Sequence, residues 1–162
     1  MVGGVKVMAI GQSRSSMVKP VGGVLSSVMS VSDTWNVMAW EKVALDLAGA
    51  AGIDVPRSRL VQISGRSVLV VHRFDRRADG SRIGYASAMT MLEAADGEQR
   101  SYLDIAGVIE RHADRAGQEL EQLWRRVVFS VLISNTDDHL RNHGFLHRHH
   151  DTWNLSPAFD LN

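Results

Sequence analysis

The chain has 162 residues, of which 44% are apolar, and its 18 Lys and Arg residues are balanced by 18 Asp and Glu residues. This size and composition are typical of a soluble globular domain, and the balanced charge argues against a nucleic-acid-binding surface spread over the whole chain. The chain has no cysteine, which excludes disulfides and thiolate metal sites, and no run of about 20 apolar residues that could form a membrane helix.

The first 75 residues predict a small mixed region. Residues 1–31 combine glycine pairs and serines with Val and Met, which indicates either short strands near 5–10 and 16–19 or a poorly ordered terminus. An amphipathic helix follows, with apolar residues at helical spacing: Trp40, Val43, Ala44, Leu47, Ala48 and Ala51. Ser32 or Asp33 can cap its start, and Gly52 and Pro56 mark its end. Residues 60–63 and 68–72 predict a hairpin around the turn at 64–66, followed by a polar loop at 75–82.

From residue 87 onward the pattern becomes helical, with helices predicted at 87–95, 102–113 and 118–133. The third helix has the longest apolar stripe: Leu120, Leu123, Trp124, Val127, Val128, Val131 and Leu132. It ends at 134–136, where Ser, Asn and Thr favour a turn. The change in composition near Asp75 therefore divides the chain into a strand-containing part, 1–75, and a helical part, 76–162, which is an α+β organisation.

Directly after the long helix, Asp137 and Asn142 stand in the D-x-x-x-x-N spacing of a kinase catalytic loop. In such a loop the Asp accepts the proton of the substrate hydroxyl and the Asn points at a metal ion that bridges the phosphates. A hairpin predicted from 144–147 and 153–155 then leads to Asp160, which is placed to hold magnesium, a cation that takes one or two carboxylates together with phosphate oxygens.

Each of these residues has a simpler explanation when taken alone. Asp137 and Asp138 are also typical of solvated loops and helix caps, Asn142 of a left-handed turn, and Asp160 of a cap. The ordered series of a long helix, a D-x-x-x-x-N loop, a hairpin and an Asp nevertheless favours the kinase interpretation, because three separate coincidences are otherwise needed.

The same residues resemble the HipA-type serine/threonine kinases, the toxin halves of HipBA toxin–antitoxin pairs. The resemblance is carried by residues 136–145, Thr-Asp-Asp-His-Leu-Arg-Asn-His-Gly-Phe, and by residues 155–161, Leu-Ser-Pro-Ala-Phe-Asp-Leu. Upstream, Trp40-Glu41, the helix end at 51–56 and residues 73–76 also fit the family pattern. About residues 33–162 are covered in all.

The resemblance implies a protein-kinase-like fold, with part of a small mixed N-lobe at 1–75 and a truncated helical C-lobe at 76–162. It implies that the chain transfers the γ-phosphoryl group of ATP to a Ser or Thr hydroxyl of a protein substrate. Asp137 then corresponds to the catalytic base, and Asn142 and Asp160 to the residues that hold Mg²⁺. The backbone of His72 and Phe74 corresponds to the segment that faces adenine.

Three further assignments follow from the resemblance. Glu41 corresponds to the helix carboxylate that pairs with a phosphate-binding lysine, for which Lys19 is the best match and Lys6 the second. His139, within the motif, is also counted among the residues on the nucleotide side, where it would orient the catalytic loop. The family also implies a DNA-binding, HipB-like antitoxin partner, so no direct nucleic-acid or membrane contact is expected of this chain. Residues 1–10 lack the pattern of a signal peptide, so we expect a cytoplasmic protein.

Two alternatives stay open. The glycine pairs do not form a G-x-G-x-x-G loop and residues 1–31 match the family poorly, which is also expected of an inactive kinase-like fragment that serves as a protein-binding module. Five of the seven histidines lie between residues 139 and 150, and His139 and His143 have the i, i+4 spacing of a helical zinc site. A solvated hairpin carrying His147, His149 and His150 is the other interpretation of that cluster.

Overall fold

The computed structural model describes residues 36–98 and 100–161, together with two strand segments near the start of the chain. The elements are β1 (Val5–Lys6), β2 (Leu25–Val28), α1 (Val37–Ala50), β3 (Ser58–Ile63), β4 (Arg66–His72), β5 (Tyr85–Ser87), α2 (Ala88–Met91), α3 (Tyr102–His112), α4 (Ala116–Leu132), β6 (Gly144–His147) and β7 (Trp153–Leu155). The strand predicted at 16–19 and Lys19 lie outside the described residues. None of the helices in the described part is both long enough and apolar enough to cross a membrane.

The first sheet is organised around β4, which pairs antiparallel with β1, β2 and β3. The predicted hairpin is confirmed, and its strands are joined by Ser64 and Gly65, both with positive φ. Two such residues in succession are typical of the turn that matches the right-handed twist of a two-residue hairpin. The sequence Ser-Gly supplies them because glycine has no Cβ to oppose this backbone conformation.

Helix α1 is confirmed as a helix, but its predicted cap and its predicted buried face are wrong. Asn36, rather than Ser32 or Asp33, accepts the capping hydrogen bond from the N–H of Ala39. The buried residues of α1 are Met38, Glu41, Leu45 and Ala48. Trp40 is 60% exposed and Leu47 is 53% exposed, so the apolar stripe read from the sequence lies mostly on the outside.

The helices α3 and α4 confirm two of the three predicted helices of the second part. The helix predicted at 87–95 is only partly correct, because this segment holds the end of β5 and the single-turn helix α2. On α4, Leu123 is buried as expected, whereas Trp124 is 64% exposed. Arg126 and Ser130 are buried instead, which the apolar pattern did not indicate.

A second antiparallel sheet, in the order β5-β6-β7, confirms the predicted hairpin and adds β5 to it. The backbones approach closely at Gly144. A Cβ atom there would lie 2.5 Å from the ring of Tyr85 and 2.7 Å from the hydroxyl of Ser156. The glycine is therefore required for β5 and the segment after β7 to pack on β6.

Two apolar cores meet at α4. The first contains Met38, Leu45, Ala48, Ile53, Leu69, Phe129, Ala158 and Leu161. The second contains Ala88, Ile105, Val108, Ile109, Leu123, Phe145 and Leu155. Because α4 contributes Phe129 to one core and Leu123 to the other, it fixes the first sheet and α1 relative to the second sheet and α3.

The turn that follows α1 is held by hydrogen bonds from two directions. The side chain of Gln122 on α4 accepts from the N–H of Asp54 and donates to the carbonyl of Gly52, both at 3.0 Å. The N–H of Ala158 donates to the carbonyl of Asp54 at 2.7 Å. The end of α1 is thus joined both to α4 and to the segment that carries Asp160.

Candidate active site

The loop after α4 begins with a hydrogen-bonded reversal. Ser134 has a φ of 57°, and the N–H of Asn135 donates to the carbonyl of Ser130, which ends the helix. The side chain of Asn135 then accepts a hydrogen bond of 3.0 Å from the N–H of Asp137. The side chain of Asp137 is left exposed at the surface of this turn.

Asn142 closes the loop over its own backbone. The residue is buried, its N–H donates to the carbonyl of His139 at 2.8 Å, and its side-chain Nδ2 donates to the carbonyl of Asp137 at 3.2 Å. These bonds fix the amide so that Oδ1 remains as the acceptor atom. The structure therefore brings Asp137 and Asn142 together, as the spacing of five residues predicted.

Asp138 anchors the loop from behind and was missed as a functional residue by the sequence reasoning. Its carboxylate accepts from the hydroxyl of Tyr102 at 2.6 Å and lies 3.0 Å from Nε2 of His143 and 3.4 Å from Oγ of Ser130. Burial raises the pKa of Asp138, but these hydrogen bonds outweigh it and hold the pKa below its usual value. The only signal in the sequence was its position next to Asp137.

Asp160 lies close to the catalytic loop. Burial raises the pKa of its carboxyl to about 6; His139 lowers it, and the neighbouring carboxylates of Asp137 and Asp138 raise it. The residue has a φ of 59°, a left-handed conformation that few residues other than glycine adopt and that is often found at functional sites. The side chains predicted to act together therefore share one electrostatic environment.

Glu41 reaches the same region from α1. It is only 6% exposed, and burial, followed by the nearby charge of Asp160, raises the pKa of Glu41 to about 7. Among the described residues, no basic side chain forms an ion pair with Glu41. Lys42, the next residue, pairs instead with Asp46 on the following turn. Lys19 lies outside the described residues, so its pairing with Glu41 stays a prediction.

The predicted adenine-facing residues lie where β4 leads into the second part. The ring of Phe74 stacks on Phe159 with 5.8 Å between centroids, so Phe74 contacts the residue directly before Asp160. The N–H of His72 already donates to the carbonyl of Arg57 at 2.8 Å. The backbone of the segment from His72 to Phe74 is thus near Asp160. Its adenine-binding role stays a prediction.

The histidines do not assemble into a metal site. His143 is buried against Asp138, and the ring of His147 packs on Trp153 with 5.0 Å between centroids. Within residues 36–98 and 100–161, no three His, Asp or Glu side chains are grouped as metal ligands. His139 is exposed, and its backbone carbonyl accepts from the N–H of Asn142; the role of its side chain stays a prediction.

Asn142 and Asp160 fit a magnesium ion that is bound together with phosphates. Oδ1 of Asn142 and the carboxylate of Asp160 are the hard oxygen ligands that Mg²⁺ takes, and phosphate oxygens usually complete its coordination. Burial raises the pKa of Asp160 first of all, and the charges of Asp137 and Asp138 add to it, so a bound divalent cation would stabilise the ionised carboxylate. The assignment of magnesium rests on the type of oxygen atom that Asn142 and Asp160 supply.

With the fold and this site, the class of protein is defined. The chain belongs to the HipA-like C-terminal domain family, which matches residues 5–162. It is 28% identical over 135 residues to a Haemophilus influenzae protein named "Putative kinase" and 29% identical over 135 residues to "Putative kinase Y4dM" of Sinorhizobium fredii. Each match covers 75% of this chain but only 39% and 32% of the relative, so the chain spans less than half the length of both.

Solved structures confirm the predicted kinase-like α+β fold. HipA of Shewanella oneidensis, solved with HipB and operator DNA, matches with a TM-score of 0.74 and 18% identity over 88% of this chain and 37% of HipA. The Helicobacter pylori proinflammatory kinase CtkA matches with a TM-score of 0.65 and 19% identity over 87% of this chain and 52% of CtkA.

Proposed function

We propose that this chain forms the catalytic loop and the metal-binding part of an ATP-dependent kinase that phosphorylates a Ser or Thr hydroxyl of a protein. The observation that carries the proposal is that Asp160, from a separate segment, lies near the loop that contains Asp137 and Asn142. The pKa of Asp160 responds to Asp137, and Asn142 is hydrogen-bonded to the backbone of Asp137.

In this proposal Asp137 accepts the proton of the attacking hydroxyl. The hydroxyl oxygen forms a bond to the γ-phosphorus of ATP as the bond from that phosphorus to the β,γ-bridging oxygen breaks, and ADP leaves. The exposed side chain of Asp137 can be reached by a protein substrate, whereas Asn142 and Asp160 lie deeper. Mg²⁺ held by these two residues would neutralise charge on the phosphates.

The remaining predicted residues have supporting roles. Glu41, buried and close to Asp160, is placed to orient a phosphate-binding lysine, for which Lys19 is the candidate. The backbone of His72 and Phe74 would receive adenine, and the stack of Phe74 on Phe159 would transmit its position to Asp160. His139 would shape the loop through its carbonyl.

A partner follows from the family. HipA of Shewanella oneidensis was solved in complex with HipB and operator DNA. We therefore propose that the protein containing this chain is the toxin half of a pair with a HipB-like, DNA-binding antitoxin, and that it contacts DNA only through that partner.

The first test is nucleotide binding measured by thermal unfolding. A ligand at 100 times its dissociation constant stabilises a folded protein by about 2.7 kcal/mol. We expect Mg²⁺-ATP to raise the melting temperature of the wild type and of Asp137→Asn, but much less that of Asp160→Asn. Asp79→Asn, in an exposed loop, is the matched control and should behave as the wild type.

The second test is transfer of labelled phosphate by the full-length protein. Asp137→Asn should reduce transfer by about 10²-fold or more, the usual contribution of a positioned general base. Equal transfer by both proteins would remove Asp137 from the mechanism. Absence of any shift with millimolar Mg²⁺-ATP would favour an inactive, protein-binding module instead.

A further inference from the structure

A cavity of about 720 Å³ opens on the side of the catalytic loop formed by α2, the loop before α3 and the first turn of α3. Its wall includes Asp138 and His139, the two residues that follow Asp137. Of the residues assigned to the nucleotide and the metal, His139 lines the cavity, whereas Asn142, Asp160, Glu41 and Phe74 do not. Its volume is in the range of sites that bind small ligands or peptide side chains.

The location of the cavity relates it to the acceptor hydroxyl. Successive Cα atoms are about 3.8 Å apart, so a wall that begins at Asp138 lies within one or two residue lengths of Asp137. The wall therefore lies within reach of a side chain next to a hydroxyl bound at Asp137.

The carboxylates and the arginines on the wall are all paired. Asp96 pairs with Arg141 at 2.6 Å, Glu98 pairs with Arg100 at 2.6 Å, and Asp138 lies 3.0 Å from Nε2 of His143. A charged side chain would have to displace one of these partners. The cavity therefore presents neither an unpaired carboxylate nor an unpaired guanidinium to a ligand.

Apart from Ser101 and His139, the rest of the wall is mostly apolar. Met89 and Leu140 are partly buried, Ile105 is 2% exposed, and the ring of Tyr102 packs edge-on against His143 with 5.8 Å between centroids. Apolar surface that is left accessible in a concave site is stabilised when another apolar side chain covers it.

We propose that this cavity binds an uncharged, apolar side chain of the protein substrate, located next to the phosphorylated Ser or Thr. The proposal rests on the proposed kinase function, since that function supplies the hydroxyl at Asp137. It adds a determinant of substrate choice, namely an aliphatic or aromatic residue at one fixed position near the acceptor.

The experiment measures binding of an array of Ser-containing peptides to the full-length protein, with a non-hydrolysable ATP analogue and Mg²⁺ present. Each position around the Ser is varied among Ala, Leu, Phe, Lys and Glu. We expect Leu or Phe at one position to increase affinity by about tenfold over Ala, the effect of burying one apolar side chain. Lys or Glu at that position should give no increase.

Two variants alter the cavity in different ways. Met89→Lys introduces a charge, and Ala95→Trp fills space without adding one, so both should abolish the apolar preference even if one of them disturbs packing. Leu103→Lys is the matched control because Leu103 lies in the same first turn of α3 but is 81% exposed and does not line the cavity. It should retain the preference.

The outcomes separate the two proposals. Apolar selection that survives both cavity variants, or no apolar selection at any position, would overturn the cavity assignment. The thermal shift with Mg²⁺-ATP is measured on the same proteins. A normal shift without apolar selection would leave the kinase proposal intact, whereas apolar selection without any shift would support the cavity and count against the kinase proposal.

Discussion

Replacing Glu41 by Gln should stabilise the protein in the absence of ligand, although it removes a residue of the proposed site. The pKa of Glu41 is raised from 4.5 to about 7 because the carboxyl is buried and lies near Asp160. Each pKa unit corresponds to about 1.36 kcal/mol, so the ionised carboxylate costs about 3 kcal/mol in the folded state. Gln has nearly the same shape and carries no charge.

The direction of the pH dependence follows from proton binding. Between pH 4.5 and 7 the carboxyl of Glu41 is ionised in the unfolded chain but still protonated in the folded one. The folded state binds more protons, so this group's stabilising contribution is present at pH 4.5 and below and is lost as the pH rises towards 7. The free energy of unfolding of Glu41→Gln should therefore exceed that of the wild type by up to about 3 kcal/mol at pH 8 and by little at pH 4.5.

Urea unfolding at a series of pH values measures this difference directly, and a thermal scan should show a rise of several degrees for Glu41→Gln at pH 8. Glu110→Gln, on the exposed side of α3, is the control and should follow the wild type. Two results would contradict this prediction: Glu41→Gln is no more stable than the wild type at pH 8, or its gain in stability is the same at pH 4.5. In either case the ionised carboxylate of Glu41 does not destabilise the folded state.

Three further predictions concern the rest of the site. Because the pKa of Asp160 is about 6, the stabilisation by Mg²⁺-ATP should weaken as the pH falls from 7.5 to 5, and Asp160→Asn should show a small, nearly pH-independent shift in the same thermal assay. Asp138→Asn should lower the free energy of unfolding by about 1–3 kcal/mol in urea titrations, and Tyr102→Phe by about 1 kcal/mol, since each weakens the same buried hydrogen bonds. Gly144→Ala should cost about 1–3 kcal/mol because the new Cβ would overlap Tyr85, and Tyr85→Leu in the same chain should recover part of the loss in the same titration.

The sequence was most informative where the structure is local. The spacing between Asp137 and Asn142 is closed by a hydrogen bond within the loop, so a motif alone sufficed to place these residues together. The hairpins were also predictable, because turn residues such as Ser64-Gly65 act over a few positions. The kinase-like fold was implied by the family resemblance that these motifs carry.

The burial of individual helix faces was not predictable in the same way. On α1 and α4 the helical period was read correctly, but Trp40 and Trp124 are exposed while Glu41 and Arg126 are buried. Apolar spacing identifies a helix, whereas the side that packs is decided by neighbours that are distant in the sequence. For Arg126 that neighbour is Ser156, whose carbonyl accepts from its guanidinium at 2.6 Å.

The same reason explains why the support of the site was missed. The partners of Asp138 come from α3, α4 and the end of the loop, and Phe159 meets Phe74 across most of the described chain. A single sequence contains no pattern that links such positions. Periodicity and motifs identify the side chains proposed to carry out the chemistry, and tertiary contacts decide which others hold them.

The double attachment of the turn after α1 has a consequence for how ligands would be received. Gln122 binds this turn from α4, and Ala158 binds it from the segment after β7 that leads to Asp160. To swing Glu41 outward, α1 would have to break both sets of bonds. The position of α1 beside the segment that carries Asp160 is therefore fixed by folding, so most of the entropy of placing Glu41 near Asp160 was lost when the chain folded rather than when a ligand binds.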